Sequence, residues 1–446
     1  MSKLRIAILL CFSFVLCFKS FSQGHQEATK GKLVNNPERD IEFMDWGLGM
    51  FVHWSLDSQL GSVISHSMVG ASDTYLQRYI NEVPKTFNPE QYDPNKWMEI
   101  AKLAGVKYMV FTTKHHSGFS MWDTKTTNFN IMNTPYGKDI VKEYVEACRK
   151  YDIKVGFYFS PEDFIFLHNF GETVRRVGTS GKEKASLMAY NKKQLDELFS
   201  NYGDIDVVFF DGGEKEKLTQ YVHTLQPNCL VTRGEMATPE QRLPKEPIPG
   251  PWESCFTLGT QWQYKPTNED YKSGTTLINM LIETRAKGGN LLINVGPDPT
   301  GVIPFEQERV FRELGLWMFV NDESIHDIRP CPIIGEKGVY YTQSKDAKSV
   351  YVFFTEFSGK NRWKYGERKE IVLNELRATK QTVISVLGHN GKVLEYQKDV
   401  NPEPTFKQKT EGLFLSVMRA QRLYNDRKWP NTVVVKLDHV EFVNKS

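Results

Sequence analysis

Apolar and polar positions follow two alternating patterns from about residue 35 to residue 330. Short unbroken apolar runs, rich in β-branched and aromatic residues, are typical of strands that are buried on both faces. Longer runs with an apolar stripe on one side are typical of helices. The predicted strands are 47–54, 106–113, 153–160, 207–210, 230–233 and 290–296, and the predicted helices are 94–103, 138–150, 185–202, 216–225, 273–287 and 305–320.

This order of strand, helix, strand, helix predicts parallel strands joined by right-handed crossovers. Over about three hundred residues it favours an α/β fold of the (β/α)8-like (TIM) barrel type over an open sheet. No GxGxxG or GxxxxGK[ST] motif follows a strand, which argues against a nucleotide-binding open sheet. The stretch between Arg233 and Gln261 lacks one or two of the expected helices and is predicted to be irregular.

The pattern changes after Pro330. Short strand-like runs follow, separated by turn residues, with no helical periodicity between them; they are 339–342, 349–354, 369–372, 382–387, 412–418 and 432–437. We therefore predict two domains: a barrel over 24–330 that carries the chemistry, and a C-terminal antiparallel β-sandwich over 331–446. The sandwich contains no histidine–carboxylate cluster, so its predicted role is accessory.

The first residues are predicted to form a secretory signal peptide over 1–23. Lys3 and Arg5 precede an apolar run over 6–18, which is too short to span a bilayer. The mature protein is therefore expected to be exported, to a bacterial periplasm or outside the cell, without membrane insertion. Four cysteines would remain after cleavage, and their wide spacing indicates buried free thiols. They are Cys148, Cys229, Cys255 and Cys331.

Charge and composition narrow the classes of partner. The 56 Lys and Arg residues nearly balance the 54 Asp and Glu residues, so neither nucleic acid nor an anionic membrane is an expected partner. Aromatic residues make up 13% of the chain. Aromatic rings suit carbohydrate, whose C–H faces stack on them, although rings also simply fill cores. The sequence predicts no oligomeric state.

Polar side chains recur where predicted strands end. Asp211 directly follows the buried run 207–210, and two glycines after it allow a sharp turn and a close approach. His53-Trp54, Lys114-His115-His116 and Tyr158 lie near the ends of the three preceding strands, and Glu253 lies on a later one. Alone, Asp211 could equally be a turn aspartate bonded to its own backbone. Because the ends of parallel strands meet at one rim of a barrel, we expect these residues to lie together there.

Three chemistries could use this set. The first is glycoside hydrolysis, in which two carboxylates flank an anomeric carbon. The second is a metal site built from histidines and carboxylates. No HxH or HExxH motif is present, however, and adjacent histidines on an extended segment should point to opposite sides. Joint chelation of a metal by His115 and His116 is therefore not expected, and no cofactor is predicted. The third is a sugar-binding barrel without catalysis, which would need the histidines and the tyrosine but not both carboxylates.

Six segments resemble successive motifs of the family 29 α-L-fucosidases, in the right order from about residue 35 to residue 330. They are Gly49–Trp54 (GMFVHW), Thr113–Phe119 (TKHHSGF), Phe157–Ser160 (FYFS), Asp206–Gly212, Trp252-Glu253 and Gly288–Gly296 (GGNLLINVG). The TKHHSGF and GGNLLINVG segments are specific, whereas the HW and FYFS pieces are weak alone. The family's β-rich C-terminal part also matches the predicted sandwich.

The resemblance implies a retaining exo-glycosidase that removes terminal α-L-fucose and needs no metal. It implies that Asp211 is the nucleophile and Glu253 the general acid/base, with Glu235 as the reserve for that role. Glu240 and Arg242 are further polar residues of the same irregular stretch. The resemblance also implies that His53, His115, His116 and Tyr158 surround the sugar. Further expected sugar contacts are Trp54, Phe209 and Trp262. Phe119 and Trp122 are plausible contacts, and these two and Trp262 are each equally able to be core.

Two departures from the family pattern bear on the accepted sugar. Many members have a tryptophan where this chain has Phe209, and they commonly carry a Glu-Trp pair where this chain reads Ser65–Gly70 (SHSMVG). That pair helps the family bind sugar hydroxyls, so its loss can change specificity; His66 is a possible substitute. The alternatives that remain are a glycosidase for a related sugar such as an α-L-galactoside, and a catalytically inert carbohydrate-binding barrel.

Overall fold

The computed structural model describes residues 35–175, 183–423 and 428–443. The predicted signal peptide, 1–23, lies outside these residues. Within the described ranges, no helix has the length and apolar character needed to cross a bilayer. Cys148, Cys229 and Cys255 are buried free thiols, as expected, while Cys331 is a free thiol that is only partly buried.

A parallel seven-stranded sheet forms the wall of the barrel, in the order β5-β4-β3-β2-β1-β7-β6. Its strands are β1 Leu48–Val52, β2 Tyr108–Lys114, β3 Lys154–Phe159, β4 Val207–Phe210, β5 Leu230–Val231, β6 Glu253–Thr257 and β7 Asn290–Val295. Between β5 and β6, Ala237 and Glu240 form single parallel bridges to Trp252 and Cys255. The predicted irregular stretch therefore extends the wall beside β6, and the prediction of a barrel-type α/β fold is confirmed.

Helices lie between the strands. They are α1 Pro37–Trp46, α2 Asp73–Asn81, α3 Pro94–Leu103, α4 Ile140–Lys150, α5 Phe164–Asn169, α6 Glu183–Asn201, α7 Lys215–Leu225, the kinked turn α8 Thr232–Glu235, α9 Gly274–Ala286 and α10 Phe305–Asn321. Helix α3 begins as predicted, with the side chain of Asp93 accepting from the Asn95 N–H and Pro94 in the first turn. In α8, Arg233 and Gly234 have non-helical backbone angles, so the segment predicted as a longer strand turns there instead.

The C-terminal part is a β-sandwich of two antiparallel sheets, in the orders β12-β15-β10-β9-β8 and β11-β14-β13. Its strands are β8 Ile328–Glu336, β9 Val339–Ser344, β10 Ser349–Phe353, β11 Arg368–Leu373, β12 Leu376–Val386, β13 Thr405–Lys409, β14 Gly412–Met418 and β15 Val434–Phe442. The sandwich has its own apolar core. Tyr351, Phe353 and Val434 belong instead to the barrel's core, so the two parts pack together.

The ends of the barrel are fixed by strand register. Asp211 follows the last residue of β4, at the C-terminal end. Glu253 is the first residue of β6 and pairs with Asn290, the first residue of β7. Since the strands are parallel, Asp211 and Glu253 lie at opposite ends of the barrel.

Candidate active site

A small cavity opens at the C-terminal end of the barrel. The residues that line it are Phe51, His53, Ser65, His115, Tyr158, Phe209, Asp211, Arg233, Glu240, Cys255 and Trp262. Aromatic rings therefore form much of the wall, and a few polar groups converge inside it.

Asp211 presents its carboxylate to this cavity with 24% of the side chain exposed. The hydroxyl of Tyr158 donates to its Oδ2 at 2.9 Å, and Nη1 of Arg233 donates to its Oδ1 at 3.2 Å. Gly212 follows with φ 151°, and a Cβ there would lie 3.1 Å from Pro161 and 3.2 Å from Glu162. Glycine is thus required for the turn that leaves Asp211 at the rim.

Arg233 joins Asp211 to a second carboxylate. Its Nη2 donates to Oε2 of Glu240 at 2.8 Å, and its guanidinium lies 4.6 Å from the centroid of the Phe209 ring. Burial disfavours the charge, but the carboxylates of Asp211 and Glu240 outweigh it and raise the pKa of Arg233. One cation therefore holds two carboxylates at the same cavity.

His53 is held as a neutral ring with a defined tautomer. Asn294 donates its amide N–H to the Trp262 carbonyl, so its Oδ1 must accept, and Nδ1 of His53 lies 2.6 Å from that oxygen. Burial lowers the pKa of His53 to about 3. With the proton on Nδ1, the Nε2 atom is an acceptor, which can take a hydrogen bond from a ligand hydroxyl.

His115 and His116 share a segment but have different surroundings. Nδ1 of His115 accepts the backbone N–H of His116 at 2.8 Å, and its ring stacks on Tyr158 with centroids 4.9 Å apart. A neutral His115 therefore carries its proton on Nε2 and is a donor. The His116 side chain is fully buried, and its Nε2 lies 3.5 Å from Oδ2 of Asp211. His115 lines the cavity, and His116 supports Asp211 from outside it.

Comparisons with known proteins bear on this site. A family model described as alpha-L-fucosidase matches residues 14–323. The chain is 28% identical to the alpha-L-fucosidase of Dictyostelium discoideum over 316 residues, which are 64% of this chain and 66% of that protein. It is 27% identical to the plasma alpha-L-fucosidase of Homo sapiens over 387 residues, 76% of this chain and 80% of that one. The chain belongs to the alpha-L-fucosidase family. It is accordingly a glycoside hydrolase.

A solved structure in this family supports the fold. Alpha-L-fucosidase isoenzyme 1 from Paenibacillus thiaminolyticus superposes with a TM-score of 0.70 at 26% identity, covering 92% of this chain and 100% of that chain. The barrel and the C-terminal sheets are thus shared with the alpha-L-fucosidase family along nearly the whole length.

The structure does not bring Glu253, the predicted acid/base, into this cavity. Its side chain is fully buried at the N-terminal end of the barrel, where the Tyr108 hydroxyl donates to its Oε2 at 2.7 Å. Burial raises the pKa of Glu253. A group that hands a proton to a substrate must reach it, and Glu253 does not line the cavity; Cys255, two residues further along β6, does.

The reserve acid/base, Glu235, is also misplaced. It lies near Asp40 of α1. Burial and the negative charge of Glu235 together raise the pKa of Asp40 to about 6. Glu240 is the carboxylate that joins Asp211 in the cavity. Sequence reasoning noticed Glu240 only as one polar residue of an irregular stretch, because no periodicity there shows which side chains face the barrel.

Five other expected sugar contacts lie outside the cavity, and His116, which supports Asp211 from outside it, is one of them. Trp54 is fully buried, and its Nε1 donates to the Asp298 carbonyl. Phe119 and Trp122 are also buried in the apolar core. His66 is exposed, and it is Ser65 that lines the cavity in that segment. By contrast, His53, His115, Tyr158, Phe209 and Trp262 do line the cavity, as does Asp211.

The expected divergence of the adjacent histidines is also wrong, because their ring centroids lie 4.4 Å apart. Ligand-type atoms of His115, His116 and Asp211 come within 4.8 Å of one another. Protein partners engage all three side chains: the His116 N–H for His115, the Ser160 hydroxyl for His116, and Tyr158 with Arg233 for Asp211. These hydrogen bonds account for the cluster, and we assign it no metal.

Proposed function

We propose that the protein is a retaining exo-α-L-fucosidase in which Asp211 is the nucleophile and Glu240 the general acid/base. One observation carries this proposal: Arg233 holds both carboxylates at one cavity that aromatic rings and histidines line. Retaining glycosidases keep their two carboxyl groups about 5–5.5 Å apart, and a shared guanidinium keeps this pair close. Membership of the alpha-L-fucosidase family supplies the reaction class and the sugar.

The first step forms a covalent intermediate. An oxygen of Asp211 bonds to the anomeric carbon while the bond from that carbon to the leaving oxygen breaks, and Glu240 transfers its proton to the leaving oxygen. Arg233 and Tyr158 hold Asp211 in place for attack. Neutral His53 and His115 offer an acceptor and a donor for sugar hydroxyls, and the Trp262 ring beside His53 offers an apolar face.

The second step releases the sugar. Glu240, now a carboxylate, takes a proton from water, whose oxygen attacks the anomeric carbon, and the electron pair of the ester bond returns to Asp211. Two inversions at one carbon retain its configuration. Glu240 becomes negatively charged in the first step and Asp211 in the second. The Arg233 cation, which lies beside both carboxylates, stabilises each of these charges.

The test uses 4-nitrophenyl α-L-fucoside. We expect the wild type to release nitrophenol and to form the α-anomer of fucose first, observed by proton NMR. Asp211→Ala should lower turnover by on the order of 10⁴–10⁶-fold. Added azide should partly restore the release of nitrophenol, with a glycosyl azide as the other product. A folded wild type that is inactive on the fucoside but active on the α-L-galactoside would show that the accepted sugar is galactose and not fucose. A folded wild type that binds sugars but hydrolyses no glycoside would contradict the proposed reaction and favour a carbohydrate-binding protein without catalysis.

We also propose that the protein is exported after removal of residues 1–23. The basic start and the apolar run over 6–18 support this. Expression of the full-length chain in a Gram-negative host, followed by fractionation and N-terminal sequencing, should give a shortened protein in the periplasm or the medium. A full-length chain in the cytoplasm would contradict the proposal.

A further inference from the structure

His116 sits between two carboxylates. Its Nε2 lies 3.5 Å from Oδ2 of Asp211, and its Nδ1 lies 4.0 Å from Oε2 of Glu162. The same Nδ1 lies 2.5 Å from the hydroxyl oxygen of Ser160. The His116 side chain is fully buried, and that of Glu162 is 12% exposed. The charge of the ring is thus set by protein groups and not by bulk water.

The hydrogen bonds of Ser160 determine where one ring proton lies. The Ser160 hydroxyl donates to the backbone carbonyl of Glu162 at 2.8 Å. A hydroxyl has a single hydrogen to donate. Toward His116, therefore, the Ser160 oxygen is an acceptor, and Nδ1 of His116 carries a proton.

A neutral ring with its proton on Nδ1 would turn the lone pair of Nε2 toward the Asp211 carboxylate. A second proton on Nε2 removes that repulsion and creates a charge-assisted bond to Asp211. We propose that Ser160 and Glu162 are positioning residues that hold His116 as a doubly protonated, cationic ring against Asp211. This proposal rests on the proposed role of Asp211 as the nucleophile.

Other charged groups near the ring oppose or support this state. Lys215, at the start of α7, interacts electrostatically with Asp211, Glu162 and Arg233. Arg233 contacts the other oxygen of Asp211. The ring of His115 packs edge-on against His116, and the ring of Phe164 lies 5.9 Å away. Lys114, the last residue of β2, is paired with Asp163. Two carboxylates thus face the ring directly, while Arg233 already shares one of them.

A cation beside Asp211 affects the two steps of the reaction in opposite ways. When Asp211 becomes a neutral ester, the ring loses an anionic neighbour, which opposes the first step. When the ester bond breaks, the electron pair returns to a carboxylate next to the cation, which favours the second step. The positioning pair would therefore speed release of the covalently bound sugar.

The first measurement is nitrogen NMR of protein labelled with ¹⁵N-histidine, with the His116 signal identified by its loss in His116→Gln. Two ring N–H groups are expected for the wild type at pH 7. In Glu162→Gln the second proton should be lost about one pH unit lower, because one of two facing anions is gone. Glu216→Gln, the same change at an exposed position of α7, is the control and should titrate like the wild type. A singly protonated wild-type ring at pH 7 overturns the proposal.

The second measurement is the pH profile of kcat on a fucoside with a good leaving group, for which breakdown of the covalent ester is expected to limit the rate. The alkaline limb should move down by about one pH unit in Glu162→Gln and in Ser160→Ala, and Ser160→Thr, which keeps the hydroxyl, should restore it. Unchanged alkaline limbs in both variants would overturn the proposal. If the wild type hydrolyses no fucoside, the proposed function fails, while the NMR result still reports the charge of His116.

Discussion

Two buried tyrosines each donate to a carboxylate at opposite ends of the barrel strands, and the two pairs differ in what surrounds them. Tyr158 donates to Asp211 at 2.9 Å, and Tyr108 donates to Glu253 at 2.7 Å. Asp211 opens into a cavity and contacts Arg233, whereas the Glu253 side chain is fully buried near apolar groups. The local bond is nearly the same in both pairs. Access to a ligand and the nearby cation, and not the tyrosine, separate a reactive carboxylate from a structural one.

The largest expected contrast is between Glu240 and Glu253. Glu240→Ala should lower kcat by about 10²–10⁴-fold on fucosides with poor leaving groups, because no other carboxyl group of the described cavity can donate the proton. Glu253→Gln keeps an acceptor for Tyr108 and should stay within about twofold of the wild type. Initial rates on a natural oligosaccharide and on the nitrophenyl fucoside measure both. A large loss in Glu253→Gln with unchanged melting temperature would break the comparison.

The two tyrosines should separate rate from stability. Tyr158→Phe removes a hydrogen bond to the nucleophile and should lower kcat by about tenfold, since a bond to a charged group contributes about 1.5–3 kcal/mol. Tyr108→Phe should leave kcat and KM unchanged but lower the free energy of unfolding by about 1–3 kcal/mol, because it leaves a buried carboxyl without its donor. Urea titrations and steady-state rates decide this. Equal effects of the two variants on kcat would contradict it.

Two tryptophans provide a smaller contrast. Trp262 lines the cavity at 4.9 Å from the His53 ring, so Trp262→Ala should raise KM by about tenfold through lost ring contact. Trp54→Phe should leave KM unchanged and cost about 1 kcal/mol of stability, because it loses the bond from Nε1 to the Asp298 carbonyl. Substrate titrations of both variants check this. A raised KM in Trp54→Phe would show that Trp54 contacts the sugar after all.

The smallest expected effect is on the pH dependence of stability. Because burial raises the pKa of Glu253 above 4.5, the folded protein binds more protons than the unfolded chain from about that pH up to the raised value. Stability from this group is therefore present below pH 4.5 and is lost as the pH rises through the window. In Glu253→Gln the melting temperature should depend less on pH in this range than in the wild type. Glu216→Gln is the control and should behave like the wild type. Parallel curves for wild type and Glu253→Gln would argue against a raised pKa.

The sequence alone determined the architecture. Unbroken apolar runs and amphipathic stretches identified parallel strands and helices, because burial on one or two faces leaves a periodic record along the chain. It also placed Asp211, His53, His115 and Tyr158 at one rim, since residues that end parallel strands meet there. The strand β8, which begins at Ile328 ahead of the predicted division at residue 330, and the strand β13 left weaker patterns and were missed.

Tertiary structure alone decided which second carboxylate joins Asp211. Glu253 is on a strand, yet it begins that strand, and its height in the barrel depends on the register between β6 and β7. Glu240 belongs to a segment without periodicity, which enters the wall through a single bridge to Cys255. The contact of Asn294 with His53 joins residues 241 positions apart, and that of Arg233 with Asp211 joins residues 22 positions apart. Such contacts depend on closure of the barrel, which local pattern does not record.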